Sequence, residues 1–300
     1  MVNKLPLPTD KFGKEKIKDF YKHLNIENNN FTLKPTTYKN VLSLLEKINP
    51  NKSVGIDYLG GRFLKDGAKV LAKSITELFN LSIERSIFSD ACKIAKLKPL
   101  YKKGSKIEPK NYRPISLLPL VSKIFERIVH SQTQNYLDKH KILYKYQSGF
   151  RPLHSTDTCL TLLNDNILSG IDKGLLTGVI LIDLQKAFDT IDHDIFLMKL
   201  ECMSFGKQTI SWFKSYLNNR TFRVNIENEY STPGELKCGV PQGSILCPLI
   251  FLIYVNDMPQ SVDCDLLLYA DDTCLGFTHK ILKLLKIIYI KTSTRYVIGL

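Results

Sequence analysis

The segment Tyr-Ala-Asp-Asp-Thr at positions 269–273 places two adjacent carboxylates between two apolar stretches. Short apolar runs on both sides of a polar step predict a β-hairpin with Asp271 and Asp272 at its tip. Adjacent carboxylates repel one another, so a fold that holds them together commonly supplies a cation. Mg²⁺ suits such a site because it takes one or two carboxylates and completes its shell with water and substrate phosphates. The alternative is an ordinary turn, in which Asp is also frequent.

A third acid, Asp183, follows a continuous apolar run in residues 178–184, GVILIDL. The run predicts an apolar strand, and Asp183 at its end would project from the edge of the core, where a catalytic carboxylate is needed. The alternative is that Asp183 caps the next helix. Phe188 either packs into the core or forms a wall beside this carboxylate. Four polar residues nearby are interpreted as solvated residues of a helix start: Asp189, Asp192, His193 and Asp194.

Gln242 lies between glycines in GVPQG, residues 239–243, at the entry to an apolar helix. Glycine allows a backbone to approach a ligand closely. The Gln amide can donate and accept hydrogen bonds at once, which suits a nucleotide or a base-pair edge. The same segment taken alone is also compatible with a simple turn.

A cluster of cations occupies the first half of the chain, and its members are Lys98, Lys102, Lys103, Lys106 and Arg113. Several donors on one turn can hold a triphosphate or a nucleic-acid backbone. A solvated basic loop is the alternative.

Composition agrees with a globular protein that has a polyanionic partner. The 300 residues are 44% hydrophobic and 24% charged, and either one large domain or two small ones are possible. Lys and Arg number 42 against 29 Asp and Glu, which gives a net charge of +13. This excess favours nucleic acid first and a membrane surface second, although a generic basic protein is also compatible with it.

The seven cysteines are scattered, without a C-x-x-C pair or a zinc-type spacing. An odd, unpatterned set indicates a reducing compartment. The first 16 residues contain no apolar core for a secretory signal. The apolar helix at 245–255 is too short to cross a bilayer. We therefore expect an intracellular protein, nuclear or cytoplasmic, that is neither secreted nor bound to a membrane.

Hydrophobic periodicity predicts an α+β fold in which helices alternate with strands. A loop is predicted over residues 51–65, which contain three glycines. Helices are predicted over residues 41–48, 68–86, 122–140, 195–203, 207–217 and 245–255, and strands over 178–183 and 221–226.

Seven segments resemble, in the same order, the reverse transcriptases of non-LTR (LINE-type) retrotransposons, jockey-like elements included. Each segment is weak evidence alone, but seven in register over about residues 40 to 277 are specific. The segments are LKPLYKKGSK, NYRPISLLPLVSKIFERIV, YQSGFRPLHSTDTCL, LIDLQKAFDTIDH, WFKSYLNNRTFRVNI, GVPQGSILCPLIFLIYVNDMP and LYADDT. The resemblance identifies the chain as a member of this family rather than a group II intron or telomerase-type relative, which would share the Asp arrangement.

The resemblance implies the right-hand polymerase fold, with fingers and palm, and a thumb that is missing or divergent. It divides the chain into an N-terminal helical extension at 1–90, a fingers-palm domain at 91–278 and a divergent tail at 279–300. In the family a further palm helix with a lysine proposed as general acid, and then the thumb, would follow the hairpin. Cys247 stands where the family usually has glycine. We therefore expect a truncated or decayed copy.

The resemblance also implies a catalytic centre. Asp183 would be the first catalytic aspartate, Asp271 and Asp272 would be the palm pair, and the backbone carbonyl of Leu184 would complete the metal site. Two Mg²⁺ ions, or Mn²⁺, about 3.5–4 Å apart can stabilise the attacking and leaving oxygens of nucleotidyl transfer.

The remaining family positions concern the substrates, which would be an RNA template, a DNA primer and deoxynucleoside triphosphates, with no obligate protein partner. Phe188 would be the gate that excludes a ribose 2′-OH, and Gln242 would contact the nascent base pair. Arg113, with Lys102 or Lys103, would grip the triphosphate. The competing function is a catalytically dead remnant that only binds RNA or DNA.

Overall fold

The computed structural model describes residues 11–22, 30–184, 186–227, 229–262 and 264–280. Within that part of the chain, no helix is both long and apolar enough to cross a membrane. The α-helices are α1 Lys11–Lys22, α2 Tyr38–Glu46, α3 Gly61–Asp66, α4 Ala68–Arg85, α5 Leu120–Lys139, α6 Thr156–Asp172, α7 His193–Cys202, α8 Lys207–Leu217 and α9 Cys247–Val255. The strands are β1 Ile94–Tyr101, β2 Tyr112–Leu117, β3 Leu176–Asp183, β4 Arg220–Ile226, β5 Glu229–Tyr230, β6 Gly234–Leu236, β7 Asp265–Tyr269 and β8 Asp272–His279.

The chain has the mixed helix and strand content predicted from its periodicity, and the predicted helices and strands are present within a few residues of their expected ends. The predicted loop over 51–65 is wrong at its end, because α3 begins at Gly61. Leu64 of this short helix is 2% exposed, so burial of its side chain stabilises a helix that its glycines disfavour.

A first sheet has the strand order β2-β1-β4-β5, with β6 also pairing with β4. Strands β1 and β2 form an antiparallel hairpin, and β1 runs parallel to β4. The face that includes Ala95 and Ser116 is buried, whereas Lys98 and Arg113 on the alternate positions are exposed. This sheet therefore presents a basic face to solvent.

A second sheet has the order β3-β8-β7, and both of its pairings are antiparallel. Leu266, Leu268 and Leu275 belong to its buried face and to the main hydrophobic core. Helix α9 belongs to the same core and is apolar on all sides, as expected of a helix surrounded by protein. Helix α6 lies against the far end of the opposite face, where Gly170 approaches Thr177.

Candidate active site

The hairpin β7–β8 carries the acidic pair at its turn. Tyr269 pairs with Asp272, so Ala270 and Asp271 form a two-residue connection. Ala270 has φ +56°, a left-handed conformation that glycine adopts far more readily than alanine. Such a residue costs on the order of 1 kcal/mol or more and persists only where its surroundings hold it. The acids therefore lie beside a strained turn.

The segment Tyr146–Gly149 holds this turn in place. The Gln147 side chain is 3% exposed, and its Oε1 accepts hydrogen bonds from the backbone N–H of Ala270 at 3.1 Å and of Gly149 at 2.8 Å. A Cβ at Gly149 would lie 2.0 Å from the Ala270 nitrogen, so only glycine fits. Sequence reasoning did not assign these two residues, and the signal was their place in YQSGF, the start of one of the matching segments.

Asp183 is the direct cross-strand partner of Asp272 in the β3–β8 pair. Paired residues on antiparallel strands project from the same face, with Cβ atoms about 4.5–5.5 Å apart. Both aspartates are exposed, and the backbone N–H of Leu184 donates to the Asp271 carbonyl at 3.4 Å. The structure thus brings Asp183, Leu184, Asp271 and Asp272 to one end of one sheet.

The helix-capping alternative for Asp183 is wrong. The cap of α7 is Asp192, whose carboxylate accepts from the backbone N–H of Asp194 at 2.9 Å and of Ile195 at 3.0 Å. Asp192 is only 7% exposed, so its interpretation as a solvated residue is also wrong. The exposed Asp183 carboxylate is therefore not used as a helix cap.

The acids at this sheet end fit a divalent cation that water and phosphate oxygens also coordinate. Like charges directly opposite on two strands destabilise the pair, and a cation relieves their repulsion. Among the described residues, no group of three or more His, Cys, Asp or Glu side chains is already gathered around a metal position. Mg²⁺ commonly binds proteins through one or two carboxylates and completes its shell with water and substrate.

Phe188 is half-buried beside this sheet end. Its ring lies 4.9 Å from that of Phe251 in α9 and 6.0 Å from that of Phe150, measured between centroids. Its backbone carbonyl accepts from the Val240 N–H at 2.9 Å, which ties it to the glycine loop 239–243. Phe188 is therefore anchored against the core while part of it remains accessible.

Gln242 connects that loop to two other elements. Its Nε2 donates to Asp189 Oδ1 at 3.1 Å, and its backbone carbonyl accepts from the Ser116 N–H of β2 at 2.6 Å. Gly243 has φ +118°, and a Cβ there would lie 2.5 Å from the Ser116 carbonyl oxygen. The loop thus joins the basic sheet to the turn that follows Asp183.

Asp189 is the acid that this loop partly buries. Burial raises the pKa of Asp189, and the hydrogen bond from Gln242 and the charge of Lys186 offset part of that rise. Its interpretation as a solvated residue therefore needs correction, because the carboxylate is engaged with the loop.

A buried acid, Glu126 of α5, supports the loop from behind. Its carboxylate accepts from the Ile245 N–H at 2.6 Å, from the Ser122 hydroxyl at 3.1 Å and from the Tyr216 hydroxyl at 3.3 Å. Burial raises the pKa of Glu126, and nearby Arg220 is the largest influence that lowers it. Sequence reasoning did not assign Glu126, although an acid one turn from Val129 on the inward face of a helix was a signal.

The guanidinium of Arg220 completes this interior network. Arg220 is 2% exposed, its centre lies 4.2 Å from the Tyr216 ring centroid, and its Nε donates to the Tyr216 carbonyl at 2.7 Å. The hydroxyls of Tyr216 and Ser244 also form a hydrogen bond, with their oxygens 2.9 Å apart. Tyr216 therefore contacts both a buried acid and a buried cation behind the residues that follow Gln242.

The basic cluster divides by the register of the β1–β2 hairpin. Arg113 pairs with Leu100, and the Lys102 N–H donates to the Asn111 carbonyl at 2.9 Å, which extends the pairing by one residue. Strand alternation therefore places Lys98, Lys102 and Arg113 on one face, while Lys103 begins the turn. In the described part of the chain, none of these three cations forms a salt bridge.

Comparisons with known proteins show similarity over most of the chain. Residues 100–293 match the family model described as reverse transcriptase (RNA-dependent DNA polymerase). The chain is 32% identical over 228 residues to a probable RNA-directed DNA polymerase from transposon BS of Drosophila melanogaster, covering 76% of this chain and 25% of that protein. It is 30% identical over 252 residues to the RNA-directed DNA polymerase from mobile element jockey of the same species, covering 81% of this chain and 27% of that protein. The chain thus spans about a quarter of the length of these relatives.

Proposed function

We propose that this chain, which belongs to the reverse transcriptase family, carries out RNA-directed DNA synthesis for a non-LTR retrotransposon. The observation that carries the proposal is the direct cross-strand pairing of Asp183 with Asp272, beside Asp271 in the adjoining turn. Polymerisation needs acids from separate strands at one place, and this register supplies them. The basic sheet corresponds to the fingers and the sheet β3-β8-β7 to the palm of a right-hand polymerase.

The reaction is an in-line displacement in which the primer 3′-hydroxyl attacks the α-phosphorus of a deoxynucleoside triphosphate and pyrophosphate leaves. Asp183, Asp271, Asp272 and the backbone carbonyl of Leu184 would hold two Mg²⁺ ions. Such ions supply charge stabilisation at the attacking and leaving oxygens. The turn at Ala270 is strained, and its hydrogen bond to the Gln147 side chain keeps Asp271 and Asp272 in place before substrate binds.

Side chains on three elements would select the incoming nucleotide. Arg113 and Lys102 share a face of the fingers hairpin and carry no internal salt bridge among the described residues, so both can take the triphosphate. Phe188 is fixed against Phe251 and would exclude a ribose 2′-OH. The side-chain amide of Gln242 donates one hydrogen to Asp189. Its second hydrogen and the side-chain carbonyl oxygen are left for the nascent base pair.

The test is primer extension by the purified chain on an RNA template annealed to a DNA primer, with deoxynucleotides and Mg²⁺. We expect extension that stops when the cation is chelated and that requires the template. Tight, salt-dependent binding of the same duplex without any extension would contradict the proposal, because the chain would then only bind nucleic acid.

A further inference from the structure

An aromatic and cationic cluster lies away from the acids, on the basic sheet. The hydroxyls of Tyr58 and Tyr230 are 3.0 Å apart, although the two residues are separated by 172 positions in sequence. The Lys96 ammonium lies 5.9 Å from the Tyr58 ring centroid and 5.5 Å from that of Tyr230. We call these three residues the tyrosine platform.

Tyr58 combines an uncommon backbone conformation with an exposed side chain. Its φ is +57°, which is uncommon for a bulky residue, and its side chain is 65% exposed. The loop that carries it is fixed at its base, because a Cβ at Gly55 would lie 2.7 Å from the Pro119 nitrogen. A strained, exposed aromatic residue on an anchored loop is a feature of ligand-binding positions.

The tyrosine platform lies on the same sheet face as the residues proposed to grip the triphosphate. Lys96 and Lys98 are two residues apart in β1 and therefore lie on the same face. Arg113 of β2 lies on that face too, because it pairs with Leu100 of β1. Arg223 of β4 is the cross-strand partner of Lys96 and is also exposed. In the described residues these cations form no salt bridge, so their charge is available to phosphates.

We propose that the tyrosine platform stacks an unpaired nucleotide of the template strand, just ahead of the primer terminus. Exposed aromatic rings next to lysine and arginine bind single-stranded nucleic acid by stacking the base and neutralising the phosphate. A protein partner would leave these unpaired cations without a counter-charge unless it were acidic. The inference rests on the proposed function, because that function puts the primer terminus beside Arg113.

The test measures equilibrium binding without nucleotides or divalent cation, so a chain without polymerase activity can still support or contradict it. The probes are a blunt RNA–DNA duplex, the same duplex with a 5′ overhang on the template strand, and one with a 3′ overhang on the primer strand. We expect the template overhang to tighten binding and Tyr58→Ala to weaken that complex about tenfold, because stacking is lost. Binding of the blunt duplex and of the primer-overhang duplex should not change.

Four further variants separate stacking from a defect of folding. Tyr58→Phe removes the contact between the hydroxyls but keeps the ring, so it should bind as the wild type does, whereas Tyr230→Ala should resemble Tyr58→Ala. Tyr38→Ala is the matched control, because Tyr38 is 41% exposed on α2 and should leave all three duplexes unaffected. Lys96→Ala should reduce the slope of log affinity against log salt by about one.

Three outcomes would overturn the proposal. One is equal weakening of blunt and overhang duplexes by Tyr58→Ala, and another is an effect no larger than that of Tyr38→Ala. The third is an equal loss with the primer-strand overhang, which would place the bound strand elsewhere.

Discussion

Asp183 and Asp272 are direct partners in the antiparallel pair β3–β8. Because side chains alternate along a strand, a slip of one residue would turn one of these carboxylates to the opposite face. The register is fixed by Leu275, which is fully buried, and by Ile180 and Ile182 packed against the core on the face away from the acids. Packing of aliphatic side chains thus determines where the two charges meet.

Gly149→Ala tests whether the backbone behind the hairpin tip sets the position of the acids. The new Cβ would lie 2.0 Å from the Ala270 nitrogen, so the tip must move. We expect primer extension to fall at least tenfold and the free energy of unfolding to fall by about 1–3 kcal/mol. Gly60→Ala is the control, because its Cβ meets only Val54 at 4.0 Å. Equal activity of both variants would show that Gly149 does not position the tip.

Alternation along the fingers hairpin separates Lys102 from its neighbour Lys103. We expect Arg113→Ala and Lys102→Ala each to raise the KM for deoxynucleotides about tenfold, with a smaller change in duplex affinity, because a charged contact to the triphosphate is lost. Lys103→Ala removes the same charge from the turn and should change KM little. Steady-state kinetics on one template measure these KM values. An equal effect of Lys102→Ala and Lys103→Ala would contradict the assignment of Lys102 to the triphosphate.

Phe188→Val tests the proposed sugar gate. A smaller side chain should admit the 2′-OH, so the ratio of ribonucleotide to deoxyribonucleotide incorporation should rise by at least tenfold while deoxynucleotide use persists. Phe63→Val is the matched control, because this phenylalanine is 61% exposed on α3. If activity persists and sugar discrimination does not change, Phe188 serves only in packing against Phe251.

Glu126→Gln should change how stability depends on pH. Burial raises the folded-state pKa of Glu126 above its usual 4.5, so the folded chain holds this proton more tightly than the unfolded chain. The contribution of Glu126 to stability is therefore full below pH 4.5 and declines as the pH rises through the folded-state pKa. A non-titrating Gln lacks this dependence, so the stability advantage of the wild type over the variant should narrow with rising pH. Denaturant unfolding of both proteins from below pH 4.5 upward measures this difference in the free energy of unfolding. A difference that stays constant or widens with rising pH would contradict the prediction.

Local pattern was sufficient to predict the hairpin, the strand before Asp183 and the apolar helix α9. In the hairpin and in α9 the apolar residues are buried as predicted, whereas β3 forms from its apolar run with one face open to solvent, where Leu181 is 78% exposed. The contact of Gln147 with Ala270 spans 123 positions and could not be predicted, because a buried amide has no periodic signal. The contact between the hydroxyls of Tyr58 and Tyr230 spans 172 positions and likewise had no local signal.

Helix α6 was not among the helices predicted from the sequence. Apolar residues recur at helical spacing in its sequence, at Leu160, Leu163, Ile167 and Ile171, but Gly170 is its sole buried residue among those described. It is stabilised at its start by a capping box between Ser155 and Thr158, in which the usual Glu or Gln is replaced by Thr. The short helix α3 was not predicted because its glycines give the segment low helical propensity. Burial of Leu64 outweighs that propensity in the structure.

The measurement that tests the account most directly is primer extension by Asp271→Asn, alongside the affinity of the same protein for the template–primer duplex. Asn keeps the size of the side chain and removes one charge from the metal-holding set. We predict that extension falls by at least two orders of magnitude while duplex affinity is unchanged or slightly tighter, because an acid facing phosphate is gone. Asp265→Asn, at the other end of the same hairpin, should extend as the wild type does. Primer extension by Asp271→Asn at the wild-type rate would contradict the catalytic role of Asp271. Binding of the duplex without extension by the wild-type chain would contradict the proposed polymerase function.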